Sequence, residues 1–243
     1  MNIAIIVAAG RGYRLGGPLP KQYLTLGGEP ILRRTIMAFA SHEQIDAVQV
    51  IIHPADAALY AGATQGLPKL KSVQFGGDTR QESVRRGLES IAKLGPKKVL
   101  IHDAVRPFVT PDTIAAVLAA LAHETSAIVG VPLTDTLKRV ENGIITATVP
   151  RQDFYRAQTP QGFRFDDILK AHRNAAIAKT SAGAAIEFTD DAMIAEWAKL
   201  KVRMIEGTEN NFKITTQADL ARAELMLSSG AFPPAGSPPP ARS

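Results

Sequence analysis

Arg11, Arg14 and Lys21 lie close to Gly10, Gly12 and Gly16 in a short stretch near the N-terminus. The run Asn2-Ile3-Ala4-Ile5-Ile6-Val7 reads as a buried strand, and it empties directly into Ala8-Ala9-Gly10-Arg11-Gly12-Tyr13-Arg14-Leu15-Gly16, with Leu19-Pro20-Lys21-Gln22-Tyr23-Leu24 following shortly after. Small residues and glycines let a backbone approach phosphates closely and present free N–H groups, while the cations supply charge. The chemistry this spacing suits is the binding of a nucleotide triphosphate.

Three kinds of phosphate loop compete for the segment. A Walker A loop needs G-x-x-x-x-G-K-[ST], and no glycine here precedes Lys-Ser or Lys-Thr at that spacing, which excludes it. A dinucleotide fingerprint, G-x-G-x-x-G/A, is met by Gly10 and Gly12 but fails at Leu15. Its acidic partner should end a second strand, whereas Glu29 sits in the turn Gly27-Gly28-Glu29-Pro30. What remains is A-A-G-x-G-x-R-x-G followed by P-K-Q-Y.

Two further constellations carry chemistry. Gly76-Gly77-Asp78-Thr79-Arg80-Gln81-Glu82-Ser83-Val84 follows one expected strand and opens a helix. Its glycines let a ring lie against backbone, and Asp78, Ser83 and main-chain groups can meet a base edge. Arg85 and Arg86, further along that helix, read as solvated. His102-Asp103-Ala104-Val105-Arg106-Pro107 ends another strand, the place where open α/β sheets put ligand contacts. A carboxylate there can hold Mg²⁺ together with substrate phosphates. His102 points to the opposite face and reads as packed; the lack of a second His at suitable spacing and of any Cys argues against a zinc ligand.

These loops require a scaffold of alternating strands and helices. Strands are expected at 2–7, 47–53, 72–75, 98–103, 126–131 and 202–206, and amphipathic helices at 30–41, 80–94, 111–123, 165–178, 190–200 and 216–229. Thr110-Pro111-Asp112 supplies a Thr cap with Pro at the first helical position. Phe188-Thr189-Asp190-Asp191 is expected to start a helix capped by Thr189, with two structural carboxylates favoured by the helix dipole. This alternation predicts a Rossmann-like wound α/β fold with a mostly parallel sheet flanked by helices. Residues 133–157 break the rhythm: Thr134–Val140 and Gly143–Val149 are β-rich and meet across Glu141-Asn142-Gly143, a hairpin signal. A two-stranded hairpin is marginal alone and has to pack on something. The catalytic domain is expected over 1–229, and 230–243, rich in Pro, Gly, Ser and Ala, as a flexible tail or linker.

Composition bounds the function classes. The chain has 243 residues, 45% hydrophobic and 21% charged, which describes an ordinary soluble globule without a membrane-span-length apolar run. The first strand starts at once, so no leader is expected. The absence of Cys excludes disulfides and thiolate metal sites and fits a reducing cytoplasm. The net charge of +5 suits anionic partners. Phosphates on small substrates explain that excess as well as nucleic acid does, and composition alone does not choose. The expectation of no nucleic-acid partner rests on the lack of a dense basic stripe, and that of no membrane partner on the lack of a span-length apolar run.

The order A-A-G-x-G-x-R-x-G, P-K-Q-Y, G-G-x-x-R-x-x-S-V, H-D-A-V-R-P, the Arg151 segment, T-P-Q and N-x-K-I-T runs over about residues 1–229. It resembles the nucleotidyltransferases that activate sugar and polyol phosphates, and more narrowly the 2-C-methyl-D-erythritol 4-phosphate cytidylyltransferase family of the non-mevalonate isoprenoid pathway. The resemblance implies that CTP is bound by Ala8, Ala9, Gly10, Gly12, Gly77, Asp78 and Ser83, with Mg²⁺ on Asp103. It implies that Arg14 and Lys21 stabilise charge on the α-phosphate and leaving pyrophosphate, while Arg151 and Lys213 hold the acceptor phosphate. Arg106, Thr136 and Thr159 would line the acceptor pocket. It also implies a homodimer in which the hairpin arm reaches across, so that Thr136 and Arg151 come from the partner subunit.

The reaction implied is attack of an acceptor phosphomonoester oxygen on the α-phosphorus of CTP, with pyrophosphate leaving. Both reactants are anionic, so the site needs cations and Mg²⁺ more than a base. Val105 beside Asp103, and the segment Asp191-Ala192-Met193, depart mildly from the family pattern. The rival readings are a ribitol-5-phosphate cytidylyltransferase, which shares the loop motifs, and a catalytically silent nucleotide-binding module.

Overall fold

Segments rich in Ile and Val belong in strands buried on both faces, and they form the middle of the sheet. The computed structural model describes residues 1–11, 19–179, 184 and 186–230. In chain order the strands are β1 (Asn2–Ala8), β2 (Thr25–Leu26), β3 (Glu29–Pro30), β4 (Ala47–Ile52), β5 (Gln74–Phe75), β6 (Lys98–Asp103), β7 (Ser126–Pro132), β8 (Leu137–Glu141), β9 (Ile144–Val149), β10 (Tyr155–Arg164) and β11 (Val202–Glu206). The helices are α1 (Ile31–Ala40), α2 (Ala57–Thr64), α3 (Arg80–Ile91), α4 (Pro111–Ala120), α5 (Phe165–Ile177), α6 (Asp191–Trp197) and α7 (Gln217–Ser228).

A seven-stranded sheet runs in the order β11-β7-β10-β6-β1-β4-β5. Its pairs are parallel except where β10 runs antiparallel to both β6 and β7. Strand alternation splits the core: Ala4, Ile6 and Ala8 of β1 face α1, α2 and α4, while Ile3 and Ile5 face α3, α5 and α6. A third cluster packs Ala223 of α7 and Ile214 onto Leu26, Ile31, Val105 and Phe108. This is a wound α/β fold, as the alternation predicts. The carboxyl ends of β1 and β6 bring Ala8 and Asp103 to the same edge, where the phosphate loop and the Asp103 loop emerge.

All six expected strands and all six expected helices form, with ends shifted by a few residues. Four named elements were not expected: the two-residue strands β2 and β3, which pair on either side of Gly27-Gly28, and β10 and α2. β10 is central, yet its sequence YRAQTPQGFR carries Pro160, which cannot donate to a ladder. Pairing with β7 breaks between Ala157 and Gln161, and this irregularity accommodates the proline. α2, AALYAGAT, lacks a charged face that would betray a helical period. One cap is corrected: Asp190, not Thr189, caps α6, its carboxylate accepting from the N–H of Met193 at 2.9 Å. Thr110 does cap α4.

The hairpin forms a separate two-stranded sheet of β8 and β9. Asn142 and Gly143 turn it with φ of 51° and 81°, the left-handed pair that matches strand twist. Nearly every residue of the arm is exposed. The expected tail falls outside the described residues from 231 onward, as do Gly12 and Arg14 of the phosphate loop.

Candidate active site

The two ends of the phosphate loop are tied together by Gln22. This side chain is 2% exposed, and its amide donates to the carbonyls of Ala8 at 2.7 Å and Gly10 at 3.2 Å. A buried amide gains most when its donors are satisfied, so Gln22 fixes the loop's exit against its return. Lys21 is carried on the same turn and lines a cavity with Ala8, Ala9 and Gly10. Arg11 turns outward to pair with the buried Asp56 at 2.6 Å.

The opposite wall is the Gly76–Ser83 loop. Thr79 caps α3, accepting from Glu82 N–H. The Ser83 hydroxyl accepts from the N–H of Gly77 at 3.0 Å and donates to the carbonyl of Thr79 at 2.9 Å. Ser83 therefore shapes the loop, and its position on the cavity wall comes with that internal role. Arg86 donates to the Gly76 carbonyl at 2.7 Å and pairs with Glu82 at 2.6 Å, so the reading of Arg86 as merely solvated is corrected. A Cβ at Gly76 would lie 2.6 Å from both Ala9 Cβ and Ser83 Oγ, so only glycine lets the two loops touch. Gly77 and Asp78 line the cavity between them.

At the floor stands Asp103, which is 9% exposed. Lys213 Nζ lies 3.0 Å and Arg106 Nε 3.4 Å from its Oδ2. Burial raises the carboxyl's pKa, but Lys213, Arg80 and Arg106 outweigh it and hold Asp103 well below the ordinary carboxylate range. Its backbone N–H donates to Thr159 Oγ at 3.1 Å. Thr159 in turn lies 3.0 Å from His102 Nδ1, and His102 Nε2 lies 3.0 Å from the Arg106 carbonyl. Burial pushes His102 down to about 4, so it is neutral at working pH. A carbonyl can only accept, so Nε2 carries the proton and Thr159 donates its own to Nδ1. The chain Asp103–Thr159–His102–Arg106 thus locks the strand end from behind.

Among the described residues no cluster of three or more His, Cys, Asp or Glu side chains could hold a metal unaided. A single ionised carboxylate on a cavity also lined by Lys21 and by the Gly10 and Gly77 backbone is the donor set of an ion held mainly by nucleotide phosphates. The residues present therefore fit Mg²⁺ on Asp103.

The structure gathers Ala8, Ala9, Gly10, Lys21, Gly77, Asp78, Ser83, Asp103 and Lys213 around one cavity. A second, adjoining cavity holds Arg106 and Thr159 together with Asp103 and Lys213. Thr136 and Arg151 are not brought there: both are exposed at the base of the arm, and Arg151 bonds the Thr134 carbonyl instead. Sequence reasoning assigned no role to Gln22, Asn211 or Arg80. Asn211 is buried and donates to the Thr159 carbonyl at 2.8 Å, and Arg106 bonds its carbonyl at 2.8 Å. Gln22 and Asn211 both lie inside quoted motifs, within two residues of an assigned Lys, which was the available signal.

Fold and site together define a wound α/β protein with a cationic cleft at the carboxyl ends of its strands, divided between a glycine-walled cavity and a second one. Comparison with known proteins gives the family. The family model described as IspD, 2-C-methyl-D-erythritol 4-phosphate cytidylyltransferase, matches residues 2–229, and the chain belongs to that family. It is 52% identical over 224 residues to the bifunctional enzyme IspD/IspF of Rhodospirillum rubrum, covering 92% of this chain and 56% of that protein. It is 50% identical over 226 residues to the corresponding protein of Paramagnetospirillum magneticum, covering 93% of this chain and 56% of the relative. The chain thus spans little more than half the length of these relatives. Among solved structures, the 4-diphosphocytidyl-2C-methyl-D-erythritol synthase of Anaerococcus prevotii superposes with a TM-score of 0.81 at 27% identity, covering 93% and 96% of the two chains. The 2-C-methyl-D-erythritol 4-phosphate cytidylyltransferase of Thermus thermophilus gives 0.74 at 32% identity, covering 92% and 98%.

Proposed function

We propose that the chain transfers the cytidylyl group of CTP to 2-C-methyl-D-erythritol 4-phosphate, giving 4-diphosphocytidyl-2-C-methyl-D-erythritol and pyrophosphate. The observation that carries this reading is the shared wall of the two cavities, where Asp103 and Lys213 face both. A nucleotide in the glycine-walled cavity and a phosphorylated acceptor in the second would meet there. Membership of the IspD family supports this choice of the two substrates.

The residues act by charge and position. Gly77 presents backbone to the cytosine, with Asp78 at its edge and Ser83 shaping the loop that carries them. Ala8, Ala9, Gly10 and Gly12 bring main-chain N–H groups to the triphosphate. Arg14 and Lys21 neutralise charge that grows on the α-phosphate oxygens and on departing pyrophosphate. Lys213 and Arg151 hold the acceptor phosphate in line with the α-phosphorus, and Arg106 and Thr159 shape its pocket. The acceptor phosphate is already ionised near neutral pH, so no general base is required. Mg²⁺ held by Asp103 and the nucleotide phosphates would supply further neutralisation of the triphosphate. Orientation of two anions can account for about 7–11 kcal/mol of such a barrier.

The reading includes a homodimer. Val140, Ile144 and Ile145 on the arm are 53%, 70% and 60% exposed, an apolar surface that a partner subunit would cover. Thr136 and Arg151 lie at the arm's base, away from this chain's own cavities, which supports their donation to the partner's acceptor pocket. Residues 1–229 form the catalytic unit in this reading. The cytoplasm is the proposed location, on the Cys-free composition. No helix among the described residues is long and apolar enough to cross a membrane.

The test is pyrophosphate release from CTP and Mg²⁺ with methylerythritol 4-phosphate and ribitol 5-phosphate offered separately. Release with the first alone is expected. Release with ribitol 5-phosphate alone would replace the acceptor, and silence with both would leave a nucleotide-binding module.

A further inference from the structure

The pattern Thr79-x-x-Glu82 at the start of α3 is that of a capping box, in which the third helical residue reaches back to the N–H of the cap residue. α7 completes such a box: Thr216 Oγ accepts from the Asp219 N–H, and Asp219 Oδ2 accepts from the Thr216 N–H. α3 forms the first half, with Thr79 Oγ accepting from the Glu82 N–H at 3.0 Å. The Glu82 carboxylate then goes elsewhere. It accepts from the N–H of Asp78 at 3.0 Å, inside the loop that lines the nucleotide cavity.

Glu82 is held there from behind. Arg86 Nη2 donates to Glu82 Oε1 at 2.6 Å and its Nη1 to the Gly76 carbonyl at 2.7 Å, so one guanidinium ties carboxylate and loop together. The carboxylate packs flush on Gly77, where a Cβ would lie 2.2 Å from Glu82 Cδ. The Asp78 N–H, and after it Arg86, holds the Glu82 carboxyl below its ordinary pKa. The other two N–H groups of the loop are also taken: Gly76 donates to the Ile52 carbonyl at 2.9 Å and Gly77 to Ser83 Oγ at 3.0 Å. What Gly77 and Asp78 keep for a ligand is therefore a set of acceptors, their carbonyls and the Asp78 carboxylate. Acceptors suit the exocyclic amino group of cytosine, and they repel the carbonyl oxygen that uracil carries at the same position.

We propose that Glu82, braced by Arg86, is a positioning residue that makes the site choose cytosine over uracil. Gly77 and Asp78 line the nucleotide cavity, whereas Glu82 and Arg86 stand behind the loop and outside that lining. Glu82 acts through Asp78, by occupying a main-chain donor and by fixing the carbonyls on either side of it. Without that acceptor, the Asp78 N–H would be a donor for the uracil carbonyl oxygen, and the loop would tell the two bases apart less well. Specificity is a difference between two affinities, and here a donor withheld from uracil counts as much as the acceptors offered to cytosine. The inference rests on the nucleotidyl-transfer reading above and concerns its choice of base.

The experiment is steady-state pyrophosphate release with Mg²⁺ and methylerythritol 4-phosphate, varying CTP or UTP, for the wild type, Glu82→Ala, Glu82→Gln and Arg86→Met. The wild type should prefer CTP. In Glu82→Ala the ratio of kcat/KM for CTP to that for UTP should fall about 10-fold or more, as for one lost hydrogen bond to a charged group. The KM for the acceptor should stay within about 2-fold, because sites that share no partner couple weakly. Glu82→Gln retains an oxygen that accepts from the Asp78 N–H and should keep most of the preference. A role confined to capping α3 would slow both nucleotides alike, and an unchanged ratio in Glu82→Ala overturns the proposal. If Glu82→Ala does not fold, Arg86→Met, which releases the Glu82 carboxylate from its brace, carries the test: a reduced ratio supports the proposal and a wild-type ratio overturns it. A wild type that uses UTP as well as CTP, or better, would overturn this inference and leave nucleotidyl transfer standing. One that turns over neither would overturn both.

Discussion

The ammonium of Lys213 lies 3.0 Å from Oδ2 of Asp103, joining the loop after β11 to the end of β6. One residue is the candidate metal ligand and the other the candidate holder of the acceptor phosphate, so the two halves of the site are already in contact before substrates arrive. The side chain of Lys213 is 40% exposed, against 12% for Asp103, so the lysine is the member free to swing toward a ligand while the carboxylate stays.

Replacing Lys213 by Ala should reduce turnover about 100–1,000-fold, the usual loss for one charge-stabilising donor. Steady-state pyrophosphate release measures it, with circular dichroism to confirm the fold. Lys21→Ala should lose a similar factor through a different substrate, the triphosphate. Near-wild-type turnover in either variant would remove that residue from the mechanism.

Thr159 carries a structural demand that its reading as an acceptor-pocket residue did not include. Its hydroxyl accepts from the Asp103 N–H and donates to His102, both buried. Thr159→Val keeps the shape but orphans those two partners, which should destabilise the fold by roughly 1–3 kcal/mol. Thr159→Ser should retain most of that stability. Urea unfolding of the three proteins tests this, and a Val variant as stable as the wild type would break the proposed hydrogen-bond chain.

The sheet and the loops were legible because each is written locally. Ile3 to Val7 is a continuous apolar run, Val48 to Ile52 is broken only by Gln49, and Asn142-Gly143 spells its own turn. β10 was hidden because Pro160 argues against a strand, and only the irregular pairing beside Ala157 makes room for it. In the site, Lys21, Asp103 and Lys213 could be picked out by motif. The partners that hold them could not: the Gln22 amide clamp on Ala8 and Gly10, and the reach of Asp191 to Arg80, depend on tertiary approach. Asp191 reads in the sequence as a structural helix-end carboxylate, while its bond to Arg80 joins residues 111 apart. No local pattern announces such a pair.

That pair also predicts a pH dependence. Burial raises the Asp191 pKa, but Arg80 and His172 outweigh it, so the carboxyl titrates below the ordinary range. A folded pKa below the unfolded one contributes stability that is present above the unfolded value and lost as pH falls through the folded one. Wild-type stability should therefore decline below about pH 4. Asp191→Asn should cost up to about 3–5 kcal/mol at neutral pH, moderated because Arg80 is 27% exposed, and should flatten this acid decline. Denaturant melts from pH 3 to pH 7 would compare the two slopes; parallel curves would deny Asp191 its ionised role.

The arm makes the sharpest prediction about assembly. Arg151 lies at its exposed base, away from the cavities that Lys213 lines in the same chain. If each site combines Lys213 of one subunit with Arg151 of the other, Lys213→Ala and Arg151→Ala should each be nearly inactive alone. Co-refolding equal amounts gives a mixture in which about half the dimers are mixed, and each mixed dimer holds one intact site and one doubly defective site. Activity should therefore recover to about a quarter of the wild type. Sites completed within a single chain would give no recovery, because every chain in the mixture carries one defect. Ile144→Asp with Ile145→Asp, which charges the apolar face of the arm, should abolish the recovery and shift the protein to monomer in sedimentation. Recovery that survives those substitutions would mean that subunits exchange residues through some surface other than the arm.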